Sequence, residues 1–234
     1  MARRFRFDTG RGVAEVAFTD RNDGDFHVDG DPEVRAATAH RLVDLPWSWV
    51  RQVHGTDVVV VERPGQGGVD GDALVTDIAG AVLSVRGADC PVVAFVSDEG
   101  VIGVAHAGWR GLVAGVLEAT VATMRSLGAG RIDALLGPCI TAAHYEFGAG
   151  ELDRIAARLG DGVRARTHAG TPALDLVAGV EAALAGVAVT VDRRGHRCTA
   201  ADPALYSHRA RAEAGRHTAA VWLHPGAEPA GGRP

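Results

Sequence analysis

The chain has 234 residues, of which 47% are hydrophobic, and this is enough apolar material for a sizeable core in one large or two small domains. All 24 basic residues are arginine, which excludes lysine Schiff-base chemistry and phosphate loops that need Gly-Lys-Ser/Thr. A net charge of -5 without a clustered basic face disfavours nucleic acid and anionic membranes, so we expect a small-molecule substrate. No feature of the sequence identifies a protein partner.

The first residues, "MARRFRFDTG", carry charge without an apolar run behind them, and no stretch of eighteen uninterrupted apolar residues occurs. We therefore expect a cytoplasmic protein. Its three cysteines, Cys90, Cys139 and Cys198, are an odd number and lie far apart. This spacing favours reduced thiols or a metal ligand over a disulfide framework.

The amino-terminal part of the chain predicts strands at "FRF" and "AEVAF", followed by a helix over "GDPEVRAATAHRLVDL". In this helix Asp31 is suited to the N-cap and Pro32 to the first turn. A strand near "WSWVRQV" is expected to end at His54, and β-branched content predicts another at "DVVVVE". The following "RPGQGGVDG" is predicted to be a turn.

Three short apolar runs then follow, "AVLSV", "VVAFV" and "VIGVA", and the turn at Asp98 to Gly100 joins the last two as a hairpin. We expect these three strands to form the centre of a sheet. From Gly111 the apolar period changes and predicts one helix that stops at Gly128.

The remaining sequence predicts a strand at "IDALL", helices at about 149–159 and 175–185, and strands at "VAVTVD" and "HTAAVWL". Several strands are adjacent without a helix between them. We therefore predict an α+β fold with a mixed sheet, or two sheets with helices outside. Residues 1–224 are expected to form a single catalytic domain and 225–234 a disordered tail.

Three metal-capable side chains, His54, Cys90 and His106, each follow an apolar run and adjoin a glycine-containing turn. Side chains at the ends of neighbouring strands can converge, and an open zinc site needs three protein ligands and a water. Two alternatives use the same residues. A small buried cysteine with hydrogen-bonded histidines needs no metal. Alternatively, Cys90 is a thiolate nucleophile activated by His106, with Asp89 or an Asn or Asp elsewhere orienting the imidazole, as in cysteine hydrolases.

Six separated motifs occur in order along nearly the whole chain: "RQVHGTDV", "GDALVTD", "GADCPV", "VAHAGWRG", "LGPCI....YEFG" and "YSHR......GR". Together they closely resemble the YfiH-type family, also described as laccase-domain or polyphenol oxidase-like. The resemblance implies an αββα-layered sandwich of mixed sheets, similar in outline to a bacterial cytotoxic-factor hydrolase domain. It also implies a zinc ion bound by His54, Cys90 and His106.

The family resemblance implies phosphorolysis of adenosine, inosine and methylthioadenosine to the base and ribose 1-phosphate or its methylthio analogue. It also implies adenosine deaminase activity, since an open zinc lowers the pKa of its bound water to about 7. The alternative function is that of a cysteine amidase or an editing factor acting on peptidoglycan precursors. The chain departs from many relatives at Ala210 and Arg211, where they have Arg-Asp, and at Pro91 after the cysteine.

Phosphorolysis needs an anion cradle near the metal, and Arg110 lies where a strand gives way to a helix start with free N–H groups. Cys90, His106 and Arg110 are thus the expected catalytic residues. Further sites for phosphate, ribose or base are predicted on several other side chains. These are Arg51, Asp89, Trp109 and Arg209, with Cys139, His144 and Tyr145 as additional pocket residues.

Copper oxidase chemistry is disfavoured because multicopper enzymes need repeated His-x-His pairs, and this chain has none. The thiolate and imidazole ligands would still bind copper adventitiously or as an alternative metal, since copper outcompetes zinc for most nitrogen and sulfur sites.

Overall fold

Two six-stranded β-sheets pack against each other in the computed structural model, which describes residues 1–224. The tail 225–234, predicted to be disordered, lies outside the described residues. The first sheet has the strand order β1-β2-β14-β7-β3-β5. Its strands are β1 Arg3–Thr9, β2 Gly12–Phe18, β3 Trp47–Arg51, β5 Gly67–Asp70, β7 Val82–Gly87 and β14 His217–Leu223.

The second sheet has the order β13-β10-β8-β9-β6-β4, and a separate hairpin pairs β11 with β12. Its strands are β4 Val58–Val60, β6 Ala73–Thr76, β8 Val92–Ser97, β9 Ile102–His106, β10 Ile132–Leu136 and β13 Val191–Asp192. The hairpin strands are β11 Arg164–Arg166 and β12 Pro172–Leu174. Both large sheets mix parallel and antiparallel pairs.

Helices cover the two outer sheet faces, so that the layers are helix, sheet, sheet and helices. The α-helices of the described residues are α1 Pro32–Leu42, α2 Trp109–Ala114, α3 Val116–Ser126, α4 Ala149–Leu159, α5 Leu176–Ala185 and α6 His208–Arg211. Apolar side chains from α3, α4 and α5 share one core with the outer face of the second sheet. The segment around α1 packs on the first sheet. This confirms the predicted α+β class with two mixed sheets and outer helices.

The space between the sheets is filled by small and β-branched side chains that alternate along the strands. Val16, Leu83 and Val221 come from the first sheet, and Leu74 and Val104 come from the second. Each is at most 1% exposed. Burial of such side chains contributes roughly 1.5–3 kcal/mol each to folding. This tightly packed interior fixes the strand ends on which the candidate site is built.

The predicted start of α1 is confirmed, because the Asp31 side chain accepts hydrogen bonds from the backbone N–H groups of Glu33 and Val34. The predicted single helix after Gly111 is wrong. Gly115, with φ +104°, separates α2 from α3 in the left-handed region, where side chains other than glycine are strained. The apolar period continues across this break, so periodicity alone conceals it.

Other predicted elements also differ from the structure. The predicted turn "RPGQGGVDG" contains strand β5, Gly67–Asp70, which is exposed along its length and therefore lacks an apolar pattern. Of the predicted strand "VAVTVD" only Val191–Asp192 pairs. The three apolar runs do not share a sheet, since β7 lies in the first sheet and β8 and β9 in the second. All three are buried on both faces, and a continuous apolar run indicates burial without indicating sheet membership.

None of the helices among residues 1–224 has the length and apolar character needed to cross a lipid bilayer.

His217 at the start of β14 is fully buried, and neither ring nitrogen has a hydrogen-bond partner of good geometry among the described residues. Burial lowers the pKa of this imidazole to about 4. In the unfolded chain this histidine has an ordinary pKa of 6.5. Between about pH 4 and 6.5 it is therefore protonated in the unfolded chain and neutral in the folded protein. This contribution to stability is complete above pH 6.5 and is lost as the pH falls.

In the wild type, the free energy of unfolding falls between pH 7 and pH 4, and His217 accounts for about 3 kcal/mol of this decrease. We predict that the decrease is smaller by this amount in His217→Leu. Urea titrations at several pH values measure this difference. The exposed His40→Gln is the control and should retain the wild-type dependence. Equal pH dependence in His217→Leu and wild type would contradict the assignment.

Candidate metal centre

His54, Cys90 and His106 come together at one edge of the two sheets. One ligand atom from each side chain can be chosen so that all three lie within 4.8 Å of one another. The two imidazole rings are 4.9 Å apart at their centroids and nearly perpendicular, at 85°. The structure thus brings together the three residues that the sequence singled out from distant positions.

The convergence follows from the sheet topology. Strand β3 is parallel to β7, so that the chain leaves both strands at the same edge, towards His54 and Cys90 respectively. The side chain of Gln52 extends this pairing, because it exchanges two hydrogen bonds with the backbone of Arg86 at 2.8 and 2.9 Å. In the second sheet His106, the last residue of β9, pairs with Val92 at the start of β8. Cys90 lies two residues before that pair.

Asp72 is the central residue of the site and was not predicted as such from the sequence. It is 0% exposed and precedes β6. Its carboxylate accepts hydrogen bonds from the backbone N–H groups of Val53, His54 and Gly55 at 3.2, 3.0 and 2.7 Å. It also lies 2.8 Å from Nδ1 of His106. One carboxylate therefore fixes the turn that carries one ligand and the ring orientation of another.

The turn around His54 has an unusual backbone conformation that Asp72 supports. His54 has φ +60°, in the left-handed region that non-glycine residues rarely adopt. Three consecutive N–H groups of this turn point at the Asp72 carboxylate, and such hydrogen bonds to a charged acceptor are worth about 1.5–3 kcal/mol each. They offset the backbone strain at His54 and hold its imidazole beside Cys90.

Hydrogen bonding dominates the electrostatics of the ligand group. Burial would raise the pKa of the Cys90 thiol, but hydrogen bonds with His106 and His54 lower it to about 6. Burial would lower the pKa of His106, but Asp72 and Cys90 raise it to about 9. Burial likewise opposes ionisation of Asp72, yet the contacts with His106 and the backbone lower its pKa. The metal-free site thus favours a thiolate beside an imidazolium.

The donor set fits a divalent metal of the zinc type. A thiolate and two imidazoles are common ligands of zinc, and tetrahedral coordination at about 2.0–2.3 Å places ligand atoms roughly 3.5 Å apart. Because Asp72 contacts Nδ1 of His106, Nε2 of that ring is the nitrogen left for a metal. His54 is exposed, so that one side of the group is open. The arrangement corresponds to an open, three-ligand centre.

Two glycines of the "AHAGWRG" segment are required by close packing against the His54 turn. A Cβ at Gly108 would lie 2.6 Å from Cδ2 of His54 and 3.3 Å from Cε1 of His106. A Cβ at Gly111 would lie 2.7 Å from the carbonyl oxygen of Gly55. The absence of a side chain at both positions therefore admits the ligand-bearing turn.

A cavity of about 430 Å³ adjoins the ligand group. Its wall contains no acidic side chain among the described residues. It contains the three ligands and, in addition, His27, Val28, Arg51, Gln52, Arg86, Gly87, Ala88, His208 and Arg216. Of the arginines, Arg51 pairs with Asp70 at 2.5 Å, whereas no carboxylate of residues 1–224 lies within 4 Å of the guanidinium group of Arg86 or Arg216. Asp25 accepts from the backbone N–H of Arg216 instead, at 2.9 Å. The cavity therefore suits an anionic group.

Asp89, predicted to accept from an imidazole or from ribose, has a different set of partners. Its carboxylate accepts hydrogen bonds from the hydroxyls of Thr199 and Ser207 at 2.6 and 2.7 Å. It also accepts one from the backbone N–H of Arg209 at 2.6 Å. The imidazole contact is made by Asp72 instead. Asp89 ties the carboxyl-terminal segment to the turn that precedes Cys90.

Arg110 and Trp109 are neighbours at the start of α2. Arg110 is exposed, and its guanidinium lies 4.6 Å from the centroid of the Trp109 ring. Trp109 packs edge-to-face on Phe147 at 5.5 Å, within the core between sheet and helices. Neither residue is part of the wall of the cavity beside Cys90. Their predicted roles in phosphate and base binding stay predictions.

Arg209 and His144 line a separate surface depression, and Tyr145 is a buried residue in contact with Arg209. The guanidinium of Arg209 lies 4.5 Å from the Tyr145 ring centroid and donates to the carbonyl oxygen of Glu146 at 2.9 Å. Arg209 and His144 line the depression together with Glu146. Burial raises the pKa of the Tyr145 phenol to about 12. None of the three lines the cavity that holds the ligand group.

Cys139 is fully buried, and its backbone forms an isolated parallel β-bridge with that of Cys198. Both thiols are free, and burial raises the pKa of Cys139 well above its usual value. Cys139 does not line the cavity at Cys90. Its predicted place in the pocket is therefore not what the structure shows, because its side chain points into the core.

Sequence reasoning also missed Arg86, Arg216 and His208. For Arg86 the available signal was its position next to an apolar run. An arginine is rarely buried in a strand unless its charge has a partner. For Asp72 the signal was a carboxylate directly before the buried run "ALVT" in the motif "GDALVTD".

The two packed mixed sheets, with a Cys-His-His group open to a cavity at their edge, define the protein as an α+β protein with a candidate three-ligand metal centre. Residues 4–224 match the family model described as multi-copper polyphenol oxidoreductase laccase. The chain belongs to this family, which confirms the resemblance to YfiH-type proteins.

Relatives of known name and structure agree with this assignment. A Mycobacterium tuberculosis protein named purine nucleoside phosphorylase is 40% identical over 91% of this chain and 88% of its own length. A Streptomyces griseus protein of the same name is 37% identical over 91% and 95%. A Neisseria meningitidis crystal structure assigned to family DUF152 superposes with a TM-score of 0.82, at 27% identity, over 96% of this chain and 99% of that one. YlmD from Geobacillus stearothermophilus gives 0.74 at 27% identity, over 93% and 94%.

The family description mentions several copper ions, whereas the structure supports one metal position. Within residues 1–224 a single group of three or more His, Cys, Asp or Glu side chains can converge on an ion. A multicopper mechanism requires further clusters, which the described residues do not form. The family model therefore shows that the chain belongs to this family, and the described residues contain one candidate metal position.

We predict that Asp72→Asn weakens binding of Co²⁺ or Zn²⁺ by about 10–100-fold, because an amide no longer fixes the His106 tautomer or accepts three backbone N–H groups equally well. Titration of the cobalt–thiolate absorption of metal-free protein measures the affinity, and circular dichroism checks the fold.

The matched control is Asp77→Asn, since Asp77 is half-exposed and, among the described residues, pairs with Arg11 at 3.2 Å. It should bind metal like the wild type. Unchanged affinity in a folded Asp72→Asn protein would show that Asp72 does not orient the ligand.

Proposed function

We propose that the protein is a zinc-dependent purine nucleoside phosphorylase, with adenosine deaminase activity at the same site. The observation that carries this proposal is the juxtaposition of an open Cys-His-His ligand group with a cavity whose charged side chains are all arginine or histidine. The relatives named purine nucleoside phosphorylase, at 36–40% identity, support it. Adenosine, inosine and methylthioadenosine are the proposed substrates, and residues 1–224 are the proposed catalytic domain.

Phosphorolysis requires that phosphate be held close to C1′ of the nucleoside. A phosphate oxygen forms a bond to C1′, and the bond from C1′ to the base nitrogen breaks with its electron pair leaving on the base. The guanidinium groups of Arg86 and Arg216 line this cavity. Among residues 1–224 they donate to backbone carbonyl oxygens and have no carboxylate within 4 Å, so their charge is available to the phosphate dianion. Arg51 stands at the same wall.

The remaining residues would hold and orient the purine nucleoside. A zinc ion bound to Cys90 and the two histidines would supply a Lewis acid for a substrate oxygen or a water. Asp72 keeps the His106 ring in place, and the buried strand ends exclude water from behind the ligand group. His208 and His27 are the proton carriers at the cavity wall.

A cytoplasmic location suits this proposal, because all three cysteines are free thiols in the structure. Nucleosides and phosphate are small molecules, and the cavity of about 430 Å³ is within the usual size of small-molecule sites.

We predict one zinc per chain and phosphate-dependent release of adenine from adenosine and of hypoxanthine from inosine. Chromatography of reactions with and without phosphate, on protein of measured zinc content, provides the test. Arg216→Gln should raise the KM for phosphate by at least about tenfold, because it removes a charge-assisted hydrogen bond. Zinc-loaded protein that leaves all three nucleosides intact would refute the proposal.

The matched control for Arg216→Gln is Arg131→Gln. Arg131 is exposed and pairs with Asp133 at 3.1 Å on the second sheet. This variant should keep the wild-type KM for phosphate. Deamination is scored separately, as inosine formed from adenosine without phosphate.

A second candidate function is a cysteine hydrolase acting on amide bonds, for example in cell-wall precursors. One observation favours it: Cys90, His106 and Asp72 form a hydrogen-bonded series in which the thiol has a pKa of about 6. Such a series is an activated nucleophile with an oriented base.

The two candidates differ in how they respond to metal. If Cys90 is the nucleophile, we predict that metal-free protein is active, that iodoacetamide abolishes this activity, and that Zn²⁺ inhibits it. If the phosphorylase assignment holds, chelation removes turnover and zinc restores it. Activity assays with and without chelator, on the same preparation, separate these outcomes.

A further inference from the structure

A second cavity, of about 320 Å³, lies on the outer face of the first sheet beneath α1. Three aromatic side chains, Phe26, Trp47 and Trp49, form part of its wall, and Phe26 stacks on Trp47 with ring centroids 6.0 Å apart. Two guanidinium groups, from Arg35 and Arg86, complete it. No acidic side chain lines this cavity.

Arg86 is the unusual member of this wall. It is only 8% exposed, and no carboxylate of residues 1–224 lies within 4 Å of its guanidinium. Its polar contact is a hydrogen bond donated to the carbonyl oxygen of Val50. Asp29 acts on it only at longer range, and that carboxylate is 84% exposed. A buried cation without a counter-ion is costly unless a ligand supplies the opposite charge.

Both cations of this cavity contact the same aromatic ring. Both guanidinium groups lie against Trp49, at 5.5 Å for Arg35 and 5.4 Å for Arg86 from the ring centroid. Burial, together with the charge of Arg35, lowers the pKa of Arg86 to about 10. Cation–π contact attracts each group to the ring but leaves both charges uncompensated. An anion placed between them would relieve this repulsion.

Aromatic walls and two converging guanidinium groups define the chemistry of the occupant. A planar carboxylate matches the fork of an arginine, and an aromatic body matches Phe26 and Trp47. We propose that this cavity is a binding site for a small aromatic carboxylate. It is separate from the proposed catalytic site, with which it shares only Arg86.

Isothermal titration calorimetry with benzoate tests the site, with benzamide as the neutral isostere and inorganic phosphate as an anion without an aromatic body. Benzoate should bind with 1:1 stoichiometry and at least about tenfold more tightly than benzamide, since the charge-assisted hydrogen bonds are lost with the amide. Because Arg86 also lines the proposed phosphate-binding cavity, phosphate should weaken benzoate binding, but benzoate should still bind in saturating phosphate through Arg35 and the aromatic wall. No saturable benzoate heat, or equal affinity for benzamide, would overturn the proposal.

Arg35→Gln should weaken benzoate binding at least about tenfold, because Arg35 is half-buried and one of the two cations. The control on the same helix is Arg41→Gln, whose guanidinium contacts the Thr38 hydroxyl at 3.0 Å and does not line the cavity. Ala36→Leu, which fills the cavity without changing charge, should also abolish binding. Full benzoate affinity in both Arg35→Gln and Ala36→Leu would refute this location.

A carboxylate could alternatively bind the metal, and one further variant separates the two sites. Cys90→Ser removes the thiolate ligand and leaves the second cavity unchanged. It should bind benzoate like the wild type, whatever its nucleoside phosphorylase activity. Loss of benzoate binding in Cys90→Ser alone would assign benzoate to the metal centre and overturn the proposal.

Discussion

The candidate site depends on the buried carboxylate of Asp72. Its two oxygens accept from four donors, three backbone N–H groups of residues 53–55 and Nδ1 of His106. These donors come from the end of a strand in the first sheet and the end of a strand in the second. The packed core sets the distance between the sheets, while Asp72 decides how the two ligand-bearing ends meet. A carboxylate without these donors would be too costly to bury there.

The first consequence is that the metal ligands and the cationic side chains of the cavity are held by different parts of the fold. The ligands follow buried strands and are held by main-chain pairing, whereas the cationic side chains of the cavity come from β3, β7 and the segments before α1 and β14. Since Arg86 and Arg216 lack carboxylate partners among the described residues, the cavity carries positive charge that a substrate or phosphate can use. Arg86 also lines the aromatic cavity on the outer face of the first sheet, so this cavity likewise carries positive charge without an acidic side chain in its wall.

The sequence allowed prediction of the ligands because each follows an apolar run that ends in a turn, and strand ends share an edge. It did not allow prediction of Asp72 as their organiser, because its partner His106 is 34 residues away and only the β6–β9 pairing brings them together. The sequence also did not predict to which sheet β7 belongs. A strand buried on both faces has no alternation of apolar and polar residues that would distinguish its two faces. Gly115 was hidden for a similar reason, because the apolar face continues across the left-handed break.

The two buried aspartates at the site also constrain its chemistry. The Asp72 carboxylate accepts from three backbone N–H groups and contacts the His106 imidazole, and the Asp89 carboxylate accepts from two hydroxyls and one backbone N–H. Both carboxylates are thus committed to structure, and neither is available as a general acid. The cavity wall contains no other carboxylic acid within the described residues. In the proposed phosphorolysis the proton for the departing purine therefore comes from a histidine such as His208 or His27, or from water.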